Sequence, residues 1–209
     1  MRRNYLLLTP VVLMFIATMN SSAQESLSDG KNIGIHRVYD YSPAPGQFLN
    51  TMPEYEEGDT KESMCQKAED LLREGGTVSL GAFGGYMVFG FDHMVENRPG
   101  LYDLQILGNS YLAEGADARQ GGSSEPALVF VSHDDNGNGL PDDKWYELAG
   151  SEYGKTGTWA NYTVTYHITP QDHTPTPVPN SPVTDDTYIR WTDSEGKEGY
   201  LAMNAYHRQ

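Results

Sequence analysis

The stretch HDDNGNGLPDDKWYE, residues 133–147, carries the residue types best suited to chemistry. Counting Asp134 as position 1, Asn136 stands at 3, Asn138 at 5, Gly139 at 6, Leu140 at 7 and Asp142 at 9. This matches the first half of a calcium loop, in which alternate side-chain oxygens meet one cation. Ca²⁺ is a hard ion that takes roughly six to eight oxygens. Alternate residues of a tight turn point inward, Gly139 lets the backbone reverse, and the Leu140 carbonyl adds an oxygen. The usual loop closes with a glutamate at position 12, where this chain has Trp145. The closing carboxylate is then Asp143, Glu147 or a residue remote in sequence such as Glu125. Asp135 is out of step with the ligand positions and is expected to face outward. The plainer alternative is a hairpin in which Asn-Gly-Asn-Gly merely turns the chain. Several carboxylates in so short a bend repel one another without a counter-ion. The expectation is therefore a structural Ca²⁺ held by Asp134, Asn136, Asn138, Leu140, Asp142 and Glu125.

Other constellations are weaker. His36, His93, His133, His167, His173 and His207 show no zinc-type spacing. The glycines of GAFGGY lack the lysine and the strand–loop–helix context of a phosphate site and read as sheet geometry. Ser123-Ser124-Glu125 has no nucleophile elbow and no evident base, and reads as a cap or brace for the acidic turn. The 29 acidic residues offer many pairs for glycoside cleavage, but spacing singles none out. Tyr86, Tyr111, Tyr153, Trp159 and Trp191 form a candidate stacking platform, although each taken alone reads better as core.

These groups must be positioned by strands. One helix is predicted, over TKESMCQKAEDLLREGG. Met64, Ala68, Leu71 and Leu72 share a face at helical spacing, Asp59 or Thr60 caps the start, and Gly75-Gly76 ends it. A strand is expected from Ile33 to Asp40. Further strands are expected in TVSLGAFGGYMVFGF, LYDLQILGN, ALVFVSHD, KWYELAGS, NYTVTYHI, TYIRWTD and GYLAMNAY, separated by Gly, Asp, Asn and Pro. The segment PQDHTPTPVPNSP cannot pair as a central strand and is expected to be a long surface loop. Helical crossovers between the strands are missing, so the fold class is mainly β, a β-sandwich or jelly roll with one short helix. Lone Cys65 reads as a small apolar packing residue. The chain stops at AMNAYHRQ without a terminal turn, and the expectation is a fragment truncated at its C-terminus.

The first residues, MRRNYLLLTPVVLMFIATMNSSAQE, pair Arg2 and Arg3 with an apolar run and small residues at Ser21-Ser22-Ala23. That is the pattern of a cleaved secretory signal, residues 1–23. A flexible leader (24–32) and the β domain (33–209) follow. No later run is long and apolar enough to span a bilayer. The 209 residues carry 14 basic and 29 acidic side chains, a net charge of −15. Cleavage would leave 12 basic residues and a net of −17. So acidic a chain lacks the basic patch a nucleic-acid binder needs. One cysteine excludes an intrachain disulfide framework. The product is expected to be exported, at the cell surface, in the periplasm or outside the cell.

The phrases HRVYDYSPAPGQFLNTMPEYEEGDT, VSLGAFGGYMVFGFDH, LYDLQILGNSY and GGSSEPALVFVSHDDNGNGLPDDKWYELAGSEY resemble a family of exported Bacteroidetes cell-surface proteins, often labelled PKD-domain-containing. The similarity runs from about Ile33 to His207. It implies a surface β-sandwich encoded near outer-membrane nutrient-uptake systems, including corrinoid systems. The family's shared segments fall on Gly122 to Pro126 and Asp134 to Asp143. No lipobox cysteine stands at the cleavage site, unlike many surface-anchored relatives. The functional expectation is a non-enzymatic, calcium-stabilised binding module of a nutrient-capture system, with a glycan or corrinoid ligand and outer-membrane uptake components as partners. The alternatives are a carbohydrate-active hydrolase or lyase on a jelly-roll frame, and a purely adhesive surface protein.

Overall fold

A computed structural model describes residues 34–46, 49–106, 108, 111–112, 122–123 and 127–205. The signal and leader segments, Glu125 and the last four residues lie outside them. Among the described residues the chain is mainly β with one α-helix, as its pattern predicts.

The first unit is an antiparallel pair backed by the helix. β1 (Arg37–Ser42) pairs with β2 (Tyr86–Gly90), and the register shifts between Val38 and Asp40. The extra residue of that bulge lets Val38 and Tyr41, three apart, both face the core, where strict alternation would have turned Tyr41 outward. β1 thus begins and ends later than the sequence pattern places it.

Helix α1 (Lys61–Arg73) packs on β1. Thr60 caps it. Its Oγ1 accepts from Ser63 N at 3.2 Å, and Ser63 Oγ accepts from Thr60 N at 2.9 Å. Asp59 accepts from Ser63 Oγ at 2.7 Å and from Lys67 Nζ at 2.8 Å. The Lys67 hydrogen bond, helped by the Glu56 amide and Ser63, holds the Asp59 carboxyl down at about 2. At the far end Gly75 takes φ +79°, and Gly75 and Gly76 donate to the Leu72 and Leu71 carbonyls.

The buried face of α1 is Cys65, Ala68, Glu69 and Leu72, one step round from the predicted stripe; Met64 and Leu71 are only half-buried. The step is set by Glu69. Its carboxylate accepts from the Val38 amide at 3.0 Å and pairs with Arg73 at 3.1 Å, while Arg73 also donates to the His36 carbonyl. A buried carboxylate with this many donors pins the helix to the start of β1. The core beneath contains Ile35, Val38, Tyr41, Cys65, Ala68, Leu72, Val78, Leu80 and Met87. Cys65 packs there as expected.

The predicted strand over 77–91 shortens to Tyr86–Gly90. Residues 77–85 instead lie against the chain before them, with Ala44 N donating to Leu80 O at 2.9 Å. Gly81, at φ +76°, has no room for a side chain: a Cβ there would run into the Ala44 carbonyl. LYDLQILGN likewise forms no strand over residues 101–106.

The remaining strands form three further sheets. β3 (Tyr111–Leu112) pairs with β4 (Gly122–Ser123), and β5 (Phe130–Ser132) with β6 (Trp145–Glu147). β7 (Val164–Tyr166), β8 (Val183–Asp193) and β9 (Glu198–Asn204) make a three-stranded antiparallel sheet in that order. Among the described residues, the closest element packing runs within sheets and between α1 and β1. The proline-rich segment lies outside any strand, as predicted, and β8 starts directly after it. Among the described residues no helix is long and apolar enough to cross a membrane.

Candidate metal centre

The 133–144 loop joins β5 to β6. The pair is short, with Phe130 opposite Glu147, Val131 opposite Tyr146 and Ser132 opposite Trp145. Leu148 N donates to Val129 O at 2.8 Å and adds one rung. From that stem the loop is shaped by its own side chains. Asp134 accepts from the amides of Gly137 at 2.7 Å, Asn138 at 3.1 Å and Gly139 at 2.9 Å. Asn136 Oδ1 accepts from Asn138 N at 2.9 Å, and Asn138 Oδ1 from Leu140 N at 2.8 Å. Asp and Asn favour such turns because their oxygens reach backbone amides a few residues on. Gly137 and Gly139 both take φ +72°, the left-handed region that lets the chain coil around Asp134.

This coiling brings four of the predicted ligand side chains together. Asp142 accepts from Asn136 Nδ2 at 3.2 Å and from Asn138 Nδ2 at 3.0 Å, and Asp134 reaches the same turn from its other end. Leu140 follows directly, its amide bound to Asn138. Asp135 faces away as expected, paired with His133 Nδ1 at 2.8 Å. Asp143 is drawn to the Asp135 amide at 3.2 Å. Glu147 stands on exposed β6. Glu125, Ser124 and Pro126 lie outside the described residues.

The donor set is one that a hard cation accepts. Two carboxylates, two amide oxygens and a backbone carbonyl suit calcium, whereas a softer metal prefers nitrogen or sulfur. Among the described residues no three of His, Cys, Asp and Glu gather at one point, so any cation here depends on the neutral oxygens of Asn136, Asn138 and Leu140. Asp134 has about four lone-pair sites and spends three of them on amides. Both asparagines turn their NH₂ groups to Asp142, and binding an ion would require their oxygens to turn there instead.

The loop gathers negative charge. Asp134, Asp135, Asp142 and Asp143 fall within ten residues. Among the described residues no lysine or arginine makes an ion pair with any of them; Lys144 lies over the Tyr146 ring, 4.7 Å from its centroid.

Sequence reasoning missed Tyr39. Its hydroxyl donates to the Gly139 carbonyl at 3.0 Å, tying the loop to β1 across a hundred residues. The ring lies close to Gly90 Cα, where a Cβ would come within 2.9 Å of it, and Arg37 sits over its face at 5.1 Å. The only available signal was an aromatic at an outward position of β1, and the bulge that turns it there is a tertiary feature.

Of the proposed aromatic platform, Tyr86 donates to Asp40 at 2.9 Å, Trp191 covers Gly199 across the β8–β9 pair, and Trp159 packs against Tyr162 with ring centroids 5.2 Å apart. These three have separate partners. Comparison with protein-family models and with curated proteins finds no match.

Proposed function

We propose that this chain is a non-enzymatic, calcium-stabilised binding module of an exported or surface-associated nutrient-capture system. The observation that carries the reading is the gathering of Asp134, Asn136, Asn138 and Asp142 in one exposed bend with which, among the described residues, no lysine or arginine forms an ion pair. Calcium would be held by these four side chains and the Leu140 carbonyl, with a further carboxylate such as Glu125 closing the loop. The ion supplies positive charge and a fixed oxygen geometry, and no bond-making chemistry. A locked loop would hold the β5–β6 stem and, through Tyr39, the end of β1 in one arrangement. Loops ordered in advance bind with less entropic cost. The secretory pattern at residues 1–23 and the resemblance to surface proteins near uptake loci support export, a glycan or corrinoid ligand, and outer-membrane uptake components as partners.

Thermal melting tests the reading. Calcium at about a hundred times its dissociation constant stabilises by about 2.7 kcal/mol, which raises Tm by roughly 5–10 °C in a chain of this size. EDTA should reverse the rise. Asp134→Ala combined with Asn138→Ala should remove the response while leaving the chain folded. A wild-type melting curve indifferent to both calcium and EDTA ends the proposal. A thermal-shift panel of glycans and corrinoids then identifies the ligand class.

A further inference from the structure

The proline-rich segment 170–182 bends back along the β8–β9 pair and flanks an open cleft of about 330 Å³. Thr169, Pro170, His173, Pro175, Tyr188 and Met203 line it. The segment is laced down along its length. His173 N donates to Pro170 O at 3.1 Å, Asp186 N to Thr176 O at 3.0 Å and Val178 N to Val183 O at 3.1 Å, while Thr169 Oγ1 donates to Tyr188 O. Asp185 also lines the cleft and is 2 % exposed. Its Oδ1 accepts from the amides and hydroxyls of Thr176 and Thr187, and its Oδ2 from His173 Nε2 at 2.6 Å. Burial alone would push this carboxyl up. The donors, led by the Thr187 amide and His173, more than offset it and keep the group ionised. An ionised carboxylate only accepts, so Nε2 carries a proton and Nδ1 is the ring nitrogen left for a ligand, an acceptor in the neutral ring and a donor in the imidazolium. No described residue hydrogen-bonds to Nδ1.

We propose that this cleft is a binding site for a small, neutral, hydroxylated ring, with His173 Nδ1 hydrogen-bonding the hydroxyl and Tyr188, Met203 and the two prolines covering the ring. The volume lies in the range of small-molecule pockets, and a few placed polar groups among apolar side chains are how such pockets fix a ligand. Tyrosine rings and methionine sulfur make favourable contacts with ring faces and edges. Asp172 and Asp186 stand on the flanking segments of a strongly acidic chain, which disfavours an anion. A cation finds no free carboxylate in the cleft, because Asp185 is already engaged by His173 and by the Thr176 and Thr187 amides. The site is separate from the 134–143 loop and does not depend on the calcium reading.

Nuclear magnetic resonance of the whole chain tests it, with the His173 ring nitrogens and the Met203 methyl as reporters. Phenol and methyl β-glucopyranoside serve as flat and puckered neutral probes, with benzene and benzoate as controls. The expected result is a saturable shift of both reporters with at least one hydroxylated probe, and the stronger of the two identifies the kind of ring. Thr184→Trp, an exposed β8 position at the rim, should abolish that shift while the His173 Nε2 proton signal persists. The proposal fails if neither hydroxylated probe moves the reporters, if benzene binds as well as phenol, or if benzoate binds more tightly than both. The same titration in EDTA keeps the outcome distinct from that of the calcium loop.

Discussion

The helix-backed pair at residues 35–90 and the β5–β6 hairpin at 130–147 are held by different forces. In the first, Val78 and Leu80 are each 1 % exposed, and the polar groups that enter, such as Glu69, arrive with their donors. In the second, every residue of β6 is exposed and the loop is held by carboxylate and amide groups that water can reach. Hydrocarbon burial stabilises the first without help from any ion. The second has little area to bury, so its order must come from polar geometry, and a cation is what would make that geometry stiff. The same contrast is visible in two glycines. Gly81 and Gly139 have nearly the same φ, +76° and +72°, yet a side chain at Gly81 meets backbone and one at Gly139 meets open space.

Substitutions can break or sharpen this contrast. Gly81→Ala combines left-handed strain with a backbone collision and should cost about 4 kcal/mol by urea denaturation. Leu80→Ala removes a fully buried side chain and should cost about 3 kcal/mol by the same measurement, with no dependence on calcium. Gly139→Ala carries strain alone and should cost about 1 kcal/mol. A cost at Gly139 equal to that at Gly81 would mean that the loop is packed, and the contrast would be lost. Tyr39→Phe removes one exposed hydrogen bond. It should cost about 0.5 kcal/mol in EDTA and reduce the calcium-dependent rise in Tm. An unchanged rise would show that β1 and the loop act independently.

Several of these features were legible in the residues themselves. The helix followed from the spacing of its apolar residues, from Thr60 and from Gly75-Gly76, because capping and periodicity act within a few residues. Its buried face was read one step off, because Glu69 enters the core only once the Val38 amide and Arg73 are there to meet it. The strand expected at 77–91 is overextended: Val78 and Leu80 are buried in the helix-backed core while Phe83 stays exposed, and the backbone there bonds to Ala44 instead of extending the β1–β2 pair. In the acidic loop the spacing of Asp134, Asn136, Asn138 and Asp142 sufficed to anticipate their convergence, since the turns are made by the side chains of the loop itself. Tyr39 was invisible, because its contact with Gly139 spans the chain.

The cleft beside the proline-rich segment marks the same boundary. The sequence by itself determined that 170–182 could not pair as a strand, that β elements would dominate, and that an oxygen-rich bend would form between two of them. Each of these depends on interactions among near neighbours, whose distances the covalent chain restricts. Only the tertiary structure decided that Asp185 would be buried against His173, that Met203 from β9 would line the cleft, and that a bulge in β1 would send Tyr39 to the acidic loop. Those arrangements depend on register and on contacts between distant segments, where a shift of one residue turns a side chain to the opposite face.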